Sequence, residues 1–397
     1  MQSSDAYPLN MARPTEYNGI FVVEVDGIDG FRSMQTEWEA LLRISGADTL
    51  FLSWQWQFSW WETWSGGPDM RLLLLKAYRD GELAGIAPLY LDRVRLRGGM
   101  CVTRLQFIGN AWRKRPTVRT EYLGFVLPNH GAGEVAAAFL QHLSRHYRWD
   151  EFVVCDALRD SISYRQILKL AAASGWQAHE AGIDRGIRVD TVGDFKAYLQ
   201  SLGKNTRLKL YNRRKRLHEL GTVGISRASS EETDSYFDIL NAFHRGRWGK
   251  ECFARPALEF HPRLIGRLGP NQAFDLSCLM IDNEPVSVSY NLRAGDTVYN
   301  LQSGFLEDYD SKLSLGTLHM GFCIEKAFED KNVHAFDMLA GSGKTEFYKQ
   351  KYRGSPVEFV TLLVTRHSML KTARALYLAM PAGIKRLVAK AASLLRL

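Results

Sequence analysis

Two short turns in the chain carry glycine and hydroxyl residues beside long apolar runs, and both bear on phosphate chemistry. Ser314-Leu315-Gly316-Thr317 precedes the apolar stretch Leu318–Glu329, and Gly341-Ser342-Gly343-Lys344-Thr345 follows Val333–Leu339. The first amides of a helix lack internal partners and sit at the positive end of its dipole, so a turn opening a helix is a place to bind phosphate. The lysine-bearing turn has the ending of a P-loop, but that motif needs a glycine five residues before its second glycine, and Met338 stands there. No magnesium-binding strand follows, since Phe152–Asp156 lies far upstream. It therefore reads as a surface loop, and Ser314–Thr317 as the phosphate site. Near both turns lie groups able to move protons. Asp337 ends a strand and can orient or deprotonate an acceptor if its pKa is raised, or can cap the next turn. His244, beside Arg247 and Trp248, is a base or a core histidine; Lys349 holds an anionic group or is solvated. No Ser-His-Asp or Cys-His arrangement stands out, so direct attack is expected rather than a covalent intermediate.

These groups need elements to hold them. Phe274–Ile281 and Pro285–Leu292, joined by Asp282-Asn283-Glu284, read as a hairpin, and Thr297–Phe305 as a third strand. The helix from Leu318 and the strand Val333–Leu339 complete the unit. Upstream, Val192–Leu202 and Thr206–Leu220 read as helices. The second is strongly basic (Lys204, Arg207, Lys209, Arg213, Arg214, Lys215, Arg216), with Leu210, Leu217 and Leu220 as its buried stripe. Those charges are a solvated face or a groove for an anion such as a tRNA acceptor stem. The helix Glu231–Arg245 carries His244. Residues 181–188, with Gly182 and Gly186, read as a hinge.

Before that hinge the order is strand, helix, hairpin, strand, helix, strand, an α/β pattern. Arg79-Asp80-Gly81-Glu82 is a hairpin turn, and Tyr122–Val126 is expected as a strand. The run Ser53–Trp64 begins with an N-cap serine and continues with aromatics on several faces. It is a sugar-stacking platform or a helix wedged in the core or between domains, the second being preferred. Gly131-Ala132-Gly133 is a weaker second candidate for a cofactor turn.

At 397 residues the chain is too long for one ordinary core. The expected division is a flexible N-terminus (1–16), a first lobe (17–185), a second lobe (186–365) and a tail (366–397). Five cysteines, odd in number and without CxxC spacing, argue for reduced thiols in a cytoplasm and against a zinc site; no metal is expected. No signal peptide or membrane span is read. Of the net charge of +8, seven units sit in the tail, which has seven basic residues and no acidic ones. Its composition suits a helix pair lying on an anionic membrane surface, or a terminal helix packing back on the body.

Several stretches, in this order, resemble the GNAT acyltransferase superfamily. They are Val298–Phe305, Leu315-Gly316-Thr317-Leu318, Phe336-Asp337, Tyr348-Lys349 and Gly354, with Phe243–Trp248 and the basic helix upstream. The similar branch is that of FemAB-like and CelD/BcsL-like acetyltransferases, over roughly residues 35–360, with Ala340–Phe347 departing from its pattern. The resemblance implies two tandem GNAT-like lobes with mixed central sheets flanked by helices. It implies acetyl-CoA or another acyl-CoA as co-substrate, with its diphosphate on Ser314, Leu315, Gly316 and Thr317. The pantetheine arm would lie along Gln302 and Ser303, where the strand splays from its neighbour His334–Met338. Tyr348 matches a tyrosine that protonates the departing thiolate, and Arg247, Trp248 and Lys349 would face a small or glycan-linked acceptor. A role in polysaccharide or cell-envelope biosynthesis comes with the resemblance. The alternatives are a FemAB-like transfer from aminoacyl-tRNA and a catalytically degenerate scaffold of exopolysaccharide assembly.

Overall fold

Asp80-Gly81 and Asp282-Asn283 all have positive φ, which lets a two-residue turn follow the right-handed twist of its strands. The computed structural model describes residues 15–96, 100–341 and 348–366, with Thr372, Pro381 and Gly383 beyond them. The first lobe runs β1 (Thr15–Tyr17), β2 (Ile20–Glu24), α1 (Gly27–Ser33), α2 (Gln35–Arg43), α3 (Trp54–Trp64), β3 (Met70–Arg79), β4 (Glu82–Arg95), β5 (Cys101–Phe107), α4 (Ala132–His146), β6 (Glu151–Leu158), α5 (Ile162–Ala173) and β7 (Gln177–Asp190). The second runs α6 (Phe195–Ser201), α7 (Lys204–Arg207), α8 (Arg214–Leu220), β8 (Val223–Arg227), α9 (Thr233–Trp248), α10 (Arg255–Ile265), β9 (Gln272–Ile281), β10 (Glu284–Ala294), β11 (Thr297–Phe305), α11 (Leu315–Glu329), β12 (Ala335–Ala340) and β13 (Ser355–Thr365).

All of these strands join one sheet, in the order β1-β2-β3-β4-β5-β6-β13-β7-β12-β11-β10-β9-β8. The parallel pairs are β5 with β6 and β11 with β12, each linked through a crossover helix, α4 or α11. The two lobes therefore repeat one plan, and they trade their last strands. β7, from the first lobe, pairs with β12 of the second, while β13 pairs with β6 of the first. β7 and β13 also pair with each other along most of their length. The expected hinge at residues 181–188 is thus the middle of a strand, and the 185/186 division falls inside it. Its glycines suggested a linker because sequence alone does not reveal a strand shared between lobes.

Two further expectations change. The basic helix Thr206–Leu220 is broken by a π-turn, Leu208–Asn212, between α7 and α8. Tyr122–Val126 is not a strand; only Val126 bridges, to Ile86. Leu123, Phe125, Val126 and Leu127 are instead buried beside β4 and α4. At Gly131, where the weaker cofactor turn was expected, the guanidinium of Arg79 lies against the glycine and pairs with Glu134. The tryptophan helix α3 is buried on nearly every face, capped by Ser53, whose Oγ accepts from the Trp56 amide at 3.2 Å. Trp56 and Trp64 lie 5.0 and 5.1 Å from the Phe260 ring of α10, so α3 is an inter-lobe wedge and no exposed platform. Of the tail, Arg366 lies between Trp149 and Trp176; the amphipathic helix pair lies outside the described residues, as do residues 1–14.

α11 must lie close under the π-turn, because a Cβ on Gly321 would stand 2.2 Å from the Leu210 carbonyl oxygen. Backbone cannot swing away as a side chain can. Gly321→Val is therefore expected to cost about 2–3 kcal/mol of stability, read as a lower urea midpoint at unchanged slope.

Candidate active site

β11 and β12 pair through three positions only, Thr297 with Ala335, Val298 with Phe336 and Tyr299 with Asp337. Beyond that vertex they part, as the sequence led us to expect. β11 also carries a bulge against β10, where Tyr290 faces Gln302 and Asn291 faces Asn300. An irregular strand edge leaves backbone groups in need of partners. The Ser303 amide finds one in Gln302 Oε1, at 3.1 Å. The Ser303 carbonyl lies 3.0 Å from His244 Nε2. A carbonyl only accepts, so Nε2 carries the proton and Nδ1 is left as acceptor. Burial, and secondarily Arg247, hold His244 below the ordinary histidine range. It is a neutral imidazole at neutral pH.

The N-terminus of α11 opens on a cavity of about 320 Å³ lined by Phe305–Asp310 and Leu313–Thr317. Ser314 makes no side-chain cap hydrogen bond. The Thr317 amide turns back to the Ser314 carbonyl at 2.9 Å, which leaves the Leu315 and Gly316 amides, at the first two helical positions, as the remaining members of the expected cradle. Phe305 gives Gly316 a packing reason as well, since a Cβ there would stand 2.4 Å from its ring. Arg247 stacks between Phe305 and Trp248, 4.7 Å from each ring, and pairs with Glu307 at 2.7 Å. Arg216 pairs with Asp310 at 2.9 Å. Tyr348 is half-exposed; partial burial raises its pKa against the pull of Arg247, which keeps its proton on as a donor requires. Tyr352 is the buried aromatic of that turn.

Donors suited to a diphosphate are thus present, but Glu307, Asp308 and Asp310 line the same cavity. A diphosphate bound there would have to take Arg247 and Arg216 from their carboxylate partners.

Asp337 and Lys349 belong to a second group, at the seam between the lobes. Asp337 is fully buried; one carboxylate oxygen accepts from the Tyr122 hydroxyl and the other from the Leu339 amide at 2.7 Å. It caps the local turn, and its carboxyl is held in a buried site. Burial raises its pKa. Asp48, half-buried in its setting, accepts from Tyr299 at 2.8 Å and from the Leu50 and Phe51 amides, and desolvation lifts it to about 6. Glu121 accepts from the Ala340 amide and lies 3.3 Å from Arg119. Lys349 is not solvated or turned to an acceptor: its ammonium donates to the carbonyls of Met338, Leu339 and Ala340, using all three hydrogens. Leu339 has φ of 57°, and this left-handed kink turns the carbonyls together. The P-loop-like residues 342–347 lie outside the described residues.

The structure thus brings Gln302, Ser303, His244, Arg247, Trp248, Tyr348 and the Ser314–Thr317 turn to one end of the splay, and Asp337 with Lys349 to its vertex. Sequence reasoning missed the first-lobe members, Asp48, Arg119, Glu121 and Tyr122. Their partners lie as far as 215 and 251 residues away, so no spacing could signal them.

Residues 204–350 match the family model described as an acetyltransferase (GNAT) domain. No curated protein sequence matches the chain. Among solved structures, FemX aligns at 13% identity over 85% of this chain and 98% of its own, with a TM-score of 0.59. A conserved protein of unknown function from Bacteroides thetaiotaomicron aligns at 9% over 84% and 97%, with a TM-score of 0.52. The C-terminal domain of a putative lysylphosphatidylglycerol synthetase from Agrobacterium fabrum aligns at 11% over 88% and 96%, with a TM-score of 0.50. At these identities the likeness is one of fold. Residues 204–350 are thus similar to a GNAT acetyltransferase domain, and the chain as a whole is two α/β lobes fused through one sheet.

Proposed function

We propose that the chain transfers an acyl group from an acyl-CoA to a small or glycan-linked acceptor by direct attack, with the reaction in the second lobe. The observation that carries this reading is the splayed β11–β12 edge lying next to an open cavity lined by the first turn of α11. The diphosphate rests on the Leu315 and Gly316 amides, with Arg247 and Arg216 as its cationic partners. Tyr348 donates a proton to the departing thiolate. Trp248 faces the acceptor, Arg247 being taken by the diphosphate, and His244 orders the strand edge through Nε2 or accepts a proton at Nδ1. A place in polysaccharide or envelope metabolism, and a peripheral contact of residues 366–397 with an anionic membrane, belong to the same proposal.

The carboxylates in the cavity supply its test. Glu307→Gln removes the charge that competes for Arg247, so calorimetry should find acetyl-CoA binding to the wild type at micromolar Kd and to the variant about three- to tenfold more tightly. Absence of acetyl-CoA binding to both proteins would contradict the reading.

A second reading is favoured by one observation. Among the described residues Lys204, Lys209 and Lys215 are exposed and form no ion pair, whereas Arg214 and Arg216 are paired with Glu325 and Asp310. Lys351 faces Lys209 closely enough for the two to repel. Such a stripe suits the phosphates of a tRNA acceptor stem, and salt-sensitive tRNA binding in the absence of acetyl-CoA binding would favour aminoacyl transfer.

A further inference from the structure

The acyl-transfer reading leaves one array without a task. The vertex where β11 and β12 part is the pair Tyr299–Asp337, and both side chains are met by residues of the other lobe: Tyr122 on Asp337 and Asp48 on Tyr299. Asp337 is sealed from water, while Tyr122, whose hydroxyl donates to it, is half-buried. Tyr122 also has φ of 58°, a left-handed backbone that a bulky aromatic residue adopts only when its surroundings enforce it. Phe51 stacks on the ring at 6.1 Å and Phe359 meets it edge-on at 4.9 Å. A strained residue is held there in one orientation, donating its proton to a carboxylate.

We propose that Tyr122 and Asp337 form a proton-accepting dyad assembled across the lobes, in which the first lobe supplies the hydroxyl that deprotonates the acyl acceptor bound to the second. This rests on the acyl-transfer reading and deepens it. The acceptor's N–H or O–H bond breaks as its electron pair forms the bond to the acyl carbon. Its proton passes to Tyr122 Oη while the phenolic proton passes to Asp337. The C–S bond breaks with its pair on sulfur, Tyr348 gives its proton to the thiolate, and solvent carries the proton held by Asp337 back to Tyr348. Asp48 and Tyr299 are positioning residues: Asp48 accepts from the Tyr299 hydroxyl, and the Asp48 and Asp337 carboxylates repel, Asp337 raising the pKa of Asp48. The other charged groups around Asp337 are Glu121 from the same first-lobe loop, Arg188 of β7 and Lys349 after β12. A buried carboxyl with a raised pKa takes a proton more readily than a solvated one, which is what the relay requires.

The test uses the full chain and acetyl-CoA. Tyr122→Phe keeps the ring and removes the hydroxyl. It should leave acetyl-CoA affinity unchanged and lower thiol release from acetyl-CoA by about a hundredfold or more. Asp48→Asn should move the acid limb of the rate, followed from about pH 5 to about pH 9, to lower pH. Carboxyl-carbon NMR of Asp337, assigned through Asp337→Asn, provides a readout independent of turnover. Its titration should move to higher pH in Tyr122→Phe and to lower pH in Asp48→Asn. An Asp337 titration indifferent to both substitutions overturns the dyad, as does full thiol release by Tyr122→Phe. Failure of the wild type to bind acetyl-CoA would instead count against the acyl-CoA reading, and the NMR titration would still decide the coupling.

Discussion

Lys349→Met is expected to lower folding stability by about 3–5 kcal/mol, the largest effect of any single substitution considered for this chain. The ammonium is buried and satisfies three carbonyls that the left-handed Leu339 turns toward one point. Methionine fills the same volume but leaves those oxygens unpaired in a dry site. It also removes the positive charge that faces Glu121 and Asp337. Urea unfolding reads the loss. A residue reserved for an acceptor would behave differently, raising KM at unchanged stability. The effect should shrink at low pH, where Glu121 and Asp337 are protonated and no longer need a cation; burial raises the pKa of both.

Stability should fall as pH rises through the range set by Asp48. Its folded pKa is about 6 against an ordinary 3.8, so the folded state binds the proton more tightly than the unfolded chain. The stabilisation is complete below the unfolded value and lost as pH climbs through the folded one. The shift corresponds to about 3 kcal/mol, and to about 2 kcal/mol once the partial water contact of Asp48 is allowed for. Asp48→Asn should flatten the stability curve between about pH 4 and about pH 6. An unchanged slope in that variant would show that Asp48 is solvated at the seam.

What the sequence disclosed follows from how far apart interacting residues lie. The β9–β10 hairpin was legible because Asp282-Asn283 fixes it locally, and α11 because its turn and apolar run are contiguous. The splay after Tyr299 was legible only through family resemblance, since nothing in Thr297–Phe305 alone states which strand it leaves. The seam was not legible. Asp48 and Tyr122 occupy irregular segments whose local patterns are those of ordinary loops, and their chemistry arises from partners in the other lobe. The exchange of β7 and β13 was hidden for a similar reason: Gly182 and Gly186 look like a linker until a neighbouring strand covers them. Lys349 reads as solvent-facing in sequence because lysine is seldom buried, and only the kink at Leu339 makes a burial site for it.

The central claim is that backbone donors at the start of α11 receive a diphosphate. Amide NMR of the nitrogen-labelled chain during an acetyl-CoA titration tests it most directly. The Leu315 and Gly316 resonances should shift in a saturable way at micromolar ligand, and inorganic pyrophosphate should move the same two more weakly. Saturating acetyl-CoA that leaves both resonances in place would contradict it.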